Sequence, residues 1–176
     1  MRGYYVYLIS SLPMLHFGSK PPFSFERFIQ TCRDLLPQAD IKVLEASSIY
    51  GEYDYNTDQP TLKNWQEFDT ALRNELVKIR TARKHLQPAG YLRRERYAQP
   101  YIAHIAMNAY RNTSLLEAER MLDQERWRAL DDICVGHFFD LDFLVVYAHK
   151  LLILQRWESI RSRDRSAALE EAIAGN

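Results

Sequence analysis

The sequence predicts an all-α protein, an irregular helical bundle of about six helices with one long helical arm. Three observations carry that prediction. Apolar residues recur at helical spacing over long windows, capping residues stand in front of several of those windows, and strand-like runs are scarce after residue 12. The length, 176 residues, suits one domain with a real core. At 47% hydrophobic and 26% charged residues the composition is that of a globular chain, not a disordered one. The expected organisation is one helical domain, 1–176. Its parts are N-terminal helices and a loop (1–60), a long helix with its return helix (61–111), and C-terminal helices (112–176).

Residues 4–12 open with Tyr4, Tyr5, Val6, Tyr7, Leu8, Ile9 and Leu12. Propensity allows a buried strand here or a helix stopped near Pro13. After a proline-bounded loop, Ser24 caps a second helix, with Phe23 and Phe28 as its hydrophobic staple, and Pro37 stops it. Asp40 is placed to cap a short helix carrying Ile41, Val43 and Leu44. A Tyr-, Asp- and Asn-rich loop spans 50–60. From Leu62 to Leu86, Trp65, Leu72, Ile79 and Leu86 recur every seventh residue, with Phe68, Leu76 and Ala82 between them. This is the seam of a long helix that packs antiparallel on another. Pro88 and Gly90 are expected to end it. A helix from Pro100 then buries Tyr101, Ile105 and Ala109. Ser114 with Glu117 forms a capping box for the next helix, closed by Gly136. Asp140 caps a helix apolar almost all round, from Leu141 to Leu154, as central helices are. A short tail helix with Leu169 and Ile173 is expected to finish the chain.

Chemistry leaves little trace. The five histidines (His16, His85, His104, His137, His149) stand in neither HExxH nor ExxH spacing. On their apolar helices His104 and His149 read as hydrogen-bonded core residues. His137 with Asp140 and Asp142 offers an acid/base or metal cluster, although helix capping already accounts for Asp140. Nucleophile elbow, Walker A and GxGxxG patterns are absent, and six glycines give little scope for a phosphate cradle. No catalytic residue, cofactor or metal is expected, and the chain reads as a non-enzyme. Cys32 and Cys134 read as reduced thiols. No signal-peptide order opens the chain, and the stretch from Phe143 to Leu154 is too short to span a bilayer. A cytoplasmic protein that meets a membrane through a partner is expected.

Charge is balanced overall, 23 basic against 23 acidic residues, but unevenly placed. Residues 78–96 hold Lys78, Arg80, Arg83, Lys84, Arg93, Arg94 and Arg96 against Glu95. Residues 115–142 hold eight acidic residues against three arginines. Either two solvated faces pair with each other, or a bipolar surface docks a protein partner through those seven basic residues. RNA binding, with Tyr91 and Tyr97 flanking the basic stretch, is the disfavoured third reading.

Two stretches carry a family resemblance. Tyr5-Val6-Tyr7-Leu8-Ile9, then Leu12, Phe28 and the turn Ser48-Ile49-Tyr50-Gly51, are similar to the start of the C/d subunit family of V/A-type rotary ATPases. Leu116 to Glu119, Leu122-Asp123, Trp127, Phe139 to Asp142 and Leu152 to Arg156 resemble that family's later helices. The whole chain looks like the short bacterial relatives of that family associated with V-type ATPases. The resemblance implies a helix over residues 4–12 and a non-catalytic subunit, accessory or assembly factor serving proton or ion transport. Full-length members of the family are about twice as long and form a funnel linking the central shaft to the membrane rotor ring, which this chain is too short to build. A helical adaptor unrelated to ATPases is the alternative.

Overall fold

The computed structural model describes the backbone of residues 2–51, 53–94 and 99–174, and the side chains of 5–51, 53–94 and 99–163. Among the described residues seven α-helices follow one another: α1 (Arg2–Ser11), α2 (Phe25–Arg33), α3 (Gln38–Glu45), α4 (Pro60–Arg83), α5 (Pro100–Arg111), α6 (Leu115–Ile133) and α7 (Leu141–Ala174). A 3-10 turn, Pro88–Gly90, lies between α4 and α5. Among the described residues there is no strand, so the all-α expectation holds and residues 4–12 belong to a helix. The contacts divide the chain into two compact units. One joins residues 1–49 to 137–176, and the other comprises Tyr50–Gly136.

In the first unit, α1 buries Leu8 and Ile9. Ser24 caps α2 as its sequence position implies, its Oγ accepting the Arg27 N–H at 3.3 Å. The staple residues Phe23 and Phe28 both meet the Tyr147 ring of α7, at centroid separations of 6.4 and 5.4 Å. Pro37 occupies the N-cap of α3 in place of the expected Asp40. Asp40 lies in the first turn, where its carboxylate accepts the Tyr5 O–H. Asp140 does cap α7, its Oδ1 accepting the Phe143 N–H at 2.9 Å. Leu144 to His149, Leu151, Ile153 and Leu154 are all buried, so α7 is the centre of this unit. Gln155 accepts the Phe25 N–H, and the Tyr147 hydroxyl donates to the Pro13 carbonyl. The separate tail helix is not formed. From Leu141 to Ala174 the chain has neither glycine nor proline, and α7 runs on without a break for 34 residues. The side chains of Leu169 and Ile173 lie outside the described residues. Cys32 is a buried free thiol whose desolvation pushes its pKa up to about 12, which leaves it inert.

In the second unit, the 24 residues of α4 reach roughly 36 Å. Trp65 and Leu72 are fully buried. Leu72 and Leu76 form a core with Ile102, Ala106 and Ala109 of α5 and Leu122 of α6, against which Phe68, Ala71, Ile79 and Ile105 pack. The helix ends before Pro88. His85 takes a left-handed conformation (φ 54°), its N–H bonds the Ala82 carbonyl, and the Leu86 N–H bonds Thr81. This is a Schellman stop with histidine where glycine is usual, and it leaves Leu86 outside the helix and exposed. The buried face of α5 is corrected in part: Ala109 is buried and Ile105 packs on this core as expected, but Tyr101 is not. Ile102, Ala106 and Ala109 are buried, whereas Tyr101 is 51% exposed and His104 faces solvent. Ser114 caps α6 through the Glu117 N–H, and Gly136 (φ 88°) follows the helix.

Candidate functional site

The basic residues singled out by charge divide by environment. Lys78 is ion-paired to Glu75 at 2.9 Å. One turn on, Arg80, Arg83 and Lys84 are exposed, and among the described residues none has an ion pair. Those three project from the last turn of a helix that the Schellman stop fixes. Arg93 and Arg94 lie in the loop before α5 and are held differently. The Asn74 carboxamide bonds both main-chain groups of Arg93: its Nδ2 donates to the carbonyl at 2.7 Å and its Oδ1 accepts the N–H at 3.0 Å. The Arg93 guanidinium donates to the Gly51 carbonyl. Arg94 has φ 41°, and its guanidinium carbon lies 4.4 Å from the centroid of the Tyr55 ring. Arg96 lies outside the described residues. The acidic residues of α6 make pairs of their own, Asp123 with Arg126 and Glu125 with Arg128.

Sequence reasoning missed a buried ionic network on α4. Asp69 is 0% exposed and accepts three donors: Arg126 Nε at 2.6 Å, Arg73 Nε at 2.5 Å and the Tyr53 hydroxyl at 2.6 Å. Arg126, 4% exposed, also donates to Asp123 at 2.9 Å. Burial opposes ionisation of Asp69, but the Arg126 and Arg73 guanidiniums outweigh it and hold the carboxyl below the usual carboxylate range. Burial, with Asp69 next to it, pushes the Tyr53 hydroxyl upward. Two carboxylates meet two guanidiniums, so the cluster is neutral. The cluster places three donors on the Asp69 carboxylate, with the Arg73 side chain 35% exposed at its edge. Its role is to fix the unit's internal arrangement. One signal was visible in the sequence: Asp69 with Arg73 and Asp123 with Arg126 stand four and three residues apart, on one face of their helices.

In the first unit, His137, Asp140 and Asp142 are half-buried and bring one ligand atom each within 4.8 Å of one another. His137 Nδ1 lies 2.8 Å from Asp140 Oδ2 and 3.7 Å from Asp142 Oδ2. The hydrogen bond to Asp140, with the charges of Asp140 and Asp142, raises the imidazole pKa above its ordinary value against the opposing effect of desolvation. Asp140 spends its other oxygen on the α7 cap. Three ligand atoms are fewer than a closed structural zinc site uses and equal to the number a catalytic zinc takes beside a water, and Asp140 is also engaged as the α7 cap.

No family model, curated protein or solved structure matches this chain.

Proposed function

We propose that the chain is a non-catalytic protein-binding module that docks an acidic partner surface through the basic end of α4. One observation carries this reading: Arg80, Arg83 and Lys84 stand exposed together at a fixed helix end, with no ion pair among the described residues. Fields of that kind steer association more than they stabilise a fold. The resemblance to the C/d subunit family supplies the partner class, the components of a V/A-type rotary ATPase at the cytoplasmic face. The work there is mechanical or assembly-related. No described helix is long and apolar enough to cross a membrane, in keeping with a membrane approached through a partner.

The test reverses Arg80, Arg83 and Lys84 to glutamate and compares pull-downs from cell extract. Arg94 is left intact because it is engaged with Tyr55. Helical content and melting midpoint should stay nearly unchanged, while ATPase components held by the wild type are lost. The wild-type association rate should fall as salt rises. Partner retention by the folded variant refutes the docking face. Capture of RNA in place of protein, lost on the same substitutions, refutes the partner class. If the reversal perturbs folding, Arg83→Gln with Lys84→Gln asks the same question without new charge.

A further inference from the structure

The cations at the end of α4 share that end with exposed apolar side chains. Asp69 of α4 pairs with Arg126 of α6, and Leu76 lies in one core with Leu122. Moving forward along α4 is therefore moving backward along α6, and the two helices run antiparallel. Seven residues separate Leu76 from Arg83 and Leu122 from Leu115, about 10 Å along each axis. The last turn of α4 and the first turn of α6 thus lie at one end of the unit. Helix α5 ends there too, because only residues 112–114 join it to α6. That end exposes Leu115 by 77%, Leu116 by 47% and Tyr110 by 39%, beside Arg80, Arg83 and Lys84. Single exposed apolar residues are ordinary, but several gathered at one place mark an interaction surface. The two leucines also open α6, where polar and acidic side chains are usual. Capping needs neither of them, since Ser114 supplies it to the Glu117 N–H.

We propose that this end of the unit docks an acidic amphipathic helix of a partner protein. The helix lays its apolar stripe on Leu115, Leu116 and Tyr110 and its carboxylates on Arg80, Arg83 and Lys84. This rests on the reading of the basic end of α4 as a docking face, and it names the chemistry of what docks. Arg83 and Lys84 stand three and four residues after Arg80, so the cations form one row along α4. The apolar group comes from the neighbouring helices α5 and α6. Apolar residues on one side with cations on the other complement a helix that has one apolar stripe and an acidic flank. Charge argues against the other occupants. A second copy joined through the same end about a twofold axis would bring two basic rows together. An anionic lipid surface would repel Glu117, which is exposed directly after the two leucines. A protein partner can set a cation opposite that one carboxylate. Apolar contact also excludes water, which strengthens the charge pairs beside it.

The experiment uses the full chain. The probe is a blocked, fluorescent helical peptide of about five turns, with leucines along one face and glutamates beside them. Anisotropy should show saturable binding that weakens as salt rises. A control peptide with lysine at every glutamate should not bind. Leu115→Ser with Leu116→Ser should weaken binding about tenfold and leave the melting midpoint unchanged, because neither leucine is in the core. If that pair perturbs α6, Leu115→Ala asks the same question at the more exposed position. Arg83→Gln with Lys84→Gln should weaken binding by a similar factor. The two pairs separate the readings. Weakening by the glutamines but not by the leucine substitutions leaves the basic docking face standing and overturns the amphipathic partner. No weakening by the glutamines overturns the docking face itself, and this proposal with it. No saturable binding at millimolar peptide, equal binding of the lysine peptide, or binding of mixed phosphatidylserine and phosphatidylcholine vesicles in place of the peptide would each overturn the proposal.

Discussion

Asp69→Ala tests the buried network most directly. The substitution removes a fully buried carboxylate on which Arg126, Arg73 and Tyr53 converge. The two arginines will not respond alike. The Arg73 side chain is 35% exposed and turns to water, so its lost pair counts little. Arg126 is 5% exposed at its side chain and is left with Asp123 alone to balance its charge in a desolvated site. Removing one partner of a buried pair costs about 3–5 kcal/mol, a large share of the roughly 5–15 kcal/mol that holds a typical domain. Arg73→Ala should cost no more than about 1 kcal/mol. Urea unfolding followed by circular dichroism reads both, with an unchanged m-value as the check on two-state behaviour. A double variant, Asp69→Leu with Arg126→Met, should be less destabilised than Asp69→Ala, because both charges leave together. The pH dependence has a definite sign. The folded Asp69 pKa lies below its ordinary 3.8, so its contribution is complete above that value and is lost as pH falls below it. If Asp69→Ala cost no more than Arg73→Ala, the network would have to be solvated and the reasoning would fail.

Three further outcomes are expected. Leu72→Ala, at the centre of the core shared by α4, α5 and α6, should cost on the order of 2–4 kcal/mol by urea unfolding; an unchanged midpoint would mean that this face is open. His85→Gly should raise stability by about 0.5–1 kcal/mol, because glycine removes the left-handed strain at the Schellman stop; a loss would show that the imidazole itself matters. NMR titration should place the His137 pKa above 6.5, and Asp140→Asn should return it toward that value. Any stability from that pair is present below pH 6.5 and lost as pH rises through the folded pKa, and added zinc should leave the melting midpoint unmoved.

What the sequence revealed is what local rules decide. Ser24, Ser114 and Asp140 cap where a short polar residue precedes an apolar period, and that chemistry is complete within four residues. Trp65 and Leu72 were legible for the same kind of reason. The full buried face of α5 was not. Hydrophobicity favours Tyr101, but close approach to α4 buries Ile102 and the small Ala106 beside the expected Ala109, and the Tyr101 ring lines a cavity beside α4 instead. The unbroken length of α7 was hidden by its polar second half. Absence of glycine and proline was the better guide there. Of the basic cluster, composition could not distinguish Arg93, bound to Gly51, from Arg83, which faces water; that difference depends on a loop 42 residues away.

The polar face of α4 illustrates the general difficulty. On a helical wheel Thr70, Asn74 and Thr81 look like the solvated side of an amphipathic helix opposite Trp65 and Leu72, while Gln66 and Asp69 stand between the two sides. All of them are buried. The covering loops, around Tyr53–Tyr55 and Arg93–Arg94, bring main-chain groups and hydroxyls that require partners once water is excluded. A polar stripe supplies those partners at fixed positions, which an apolar stripe cannot do. Asp69 therefore faces Tyr53, Thr70 faces Tyr55 and Asn74 faces Arg93 as consequences of a single requirement. Gln66 has the same residue chemistry and the same spacing, but among the described residues no loop group bonds it, so the rule that sets the other three positions does not extend to it.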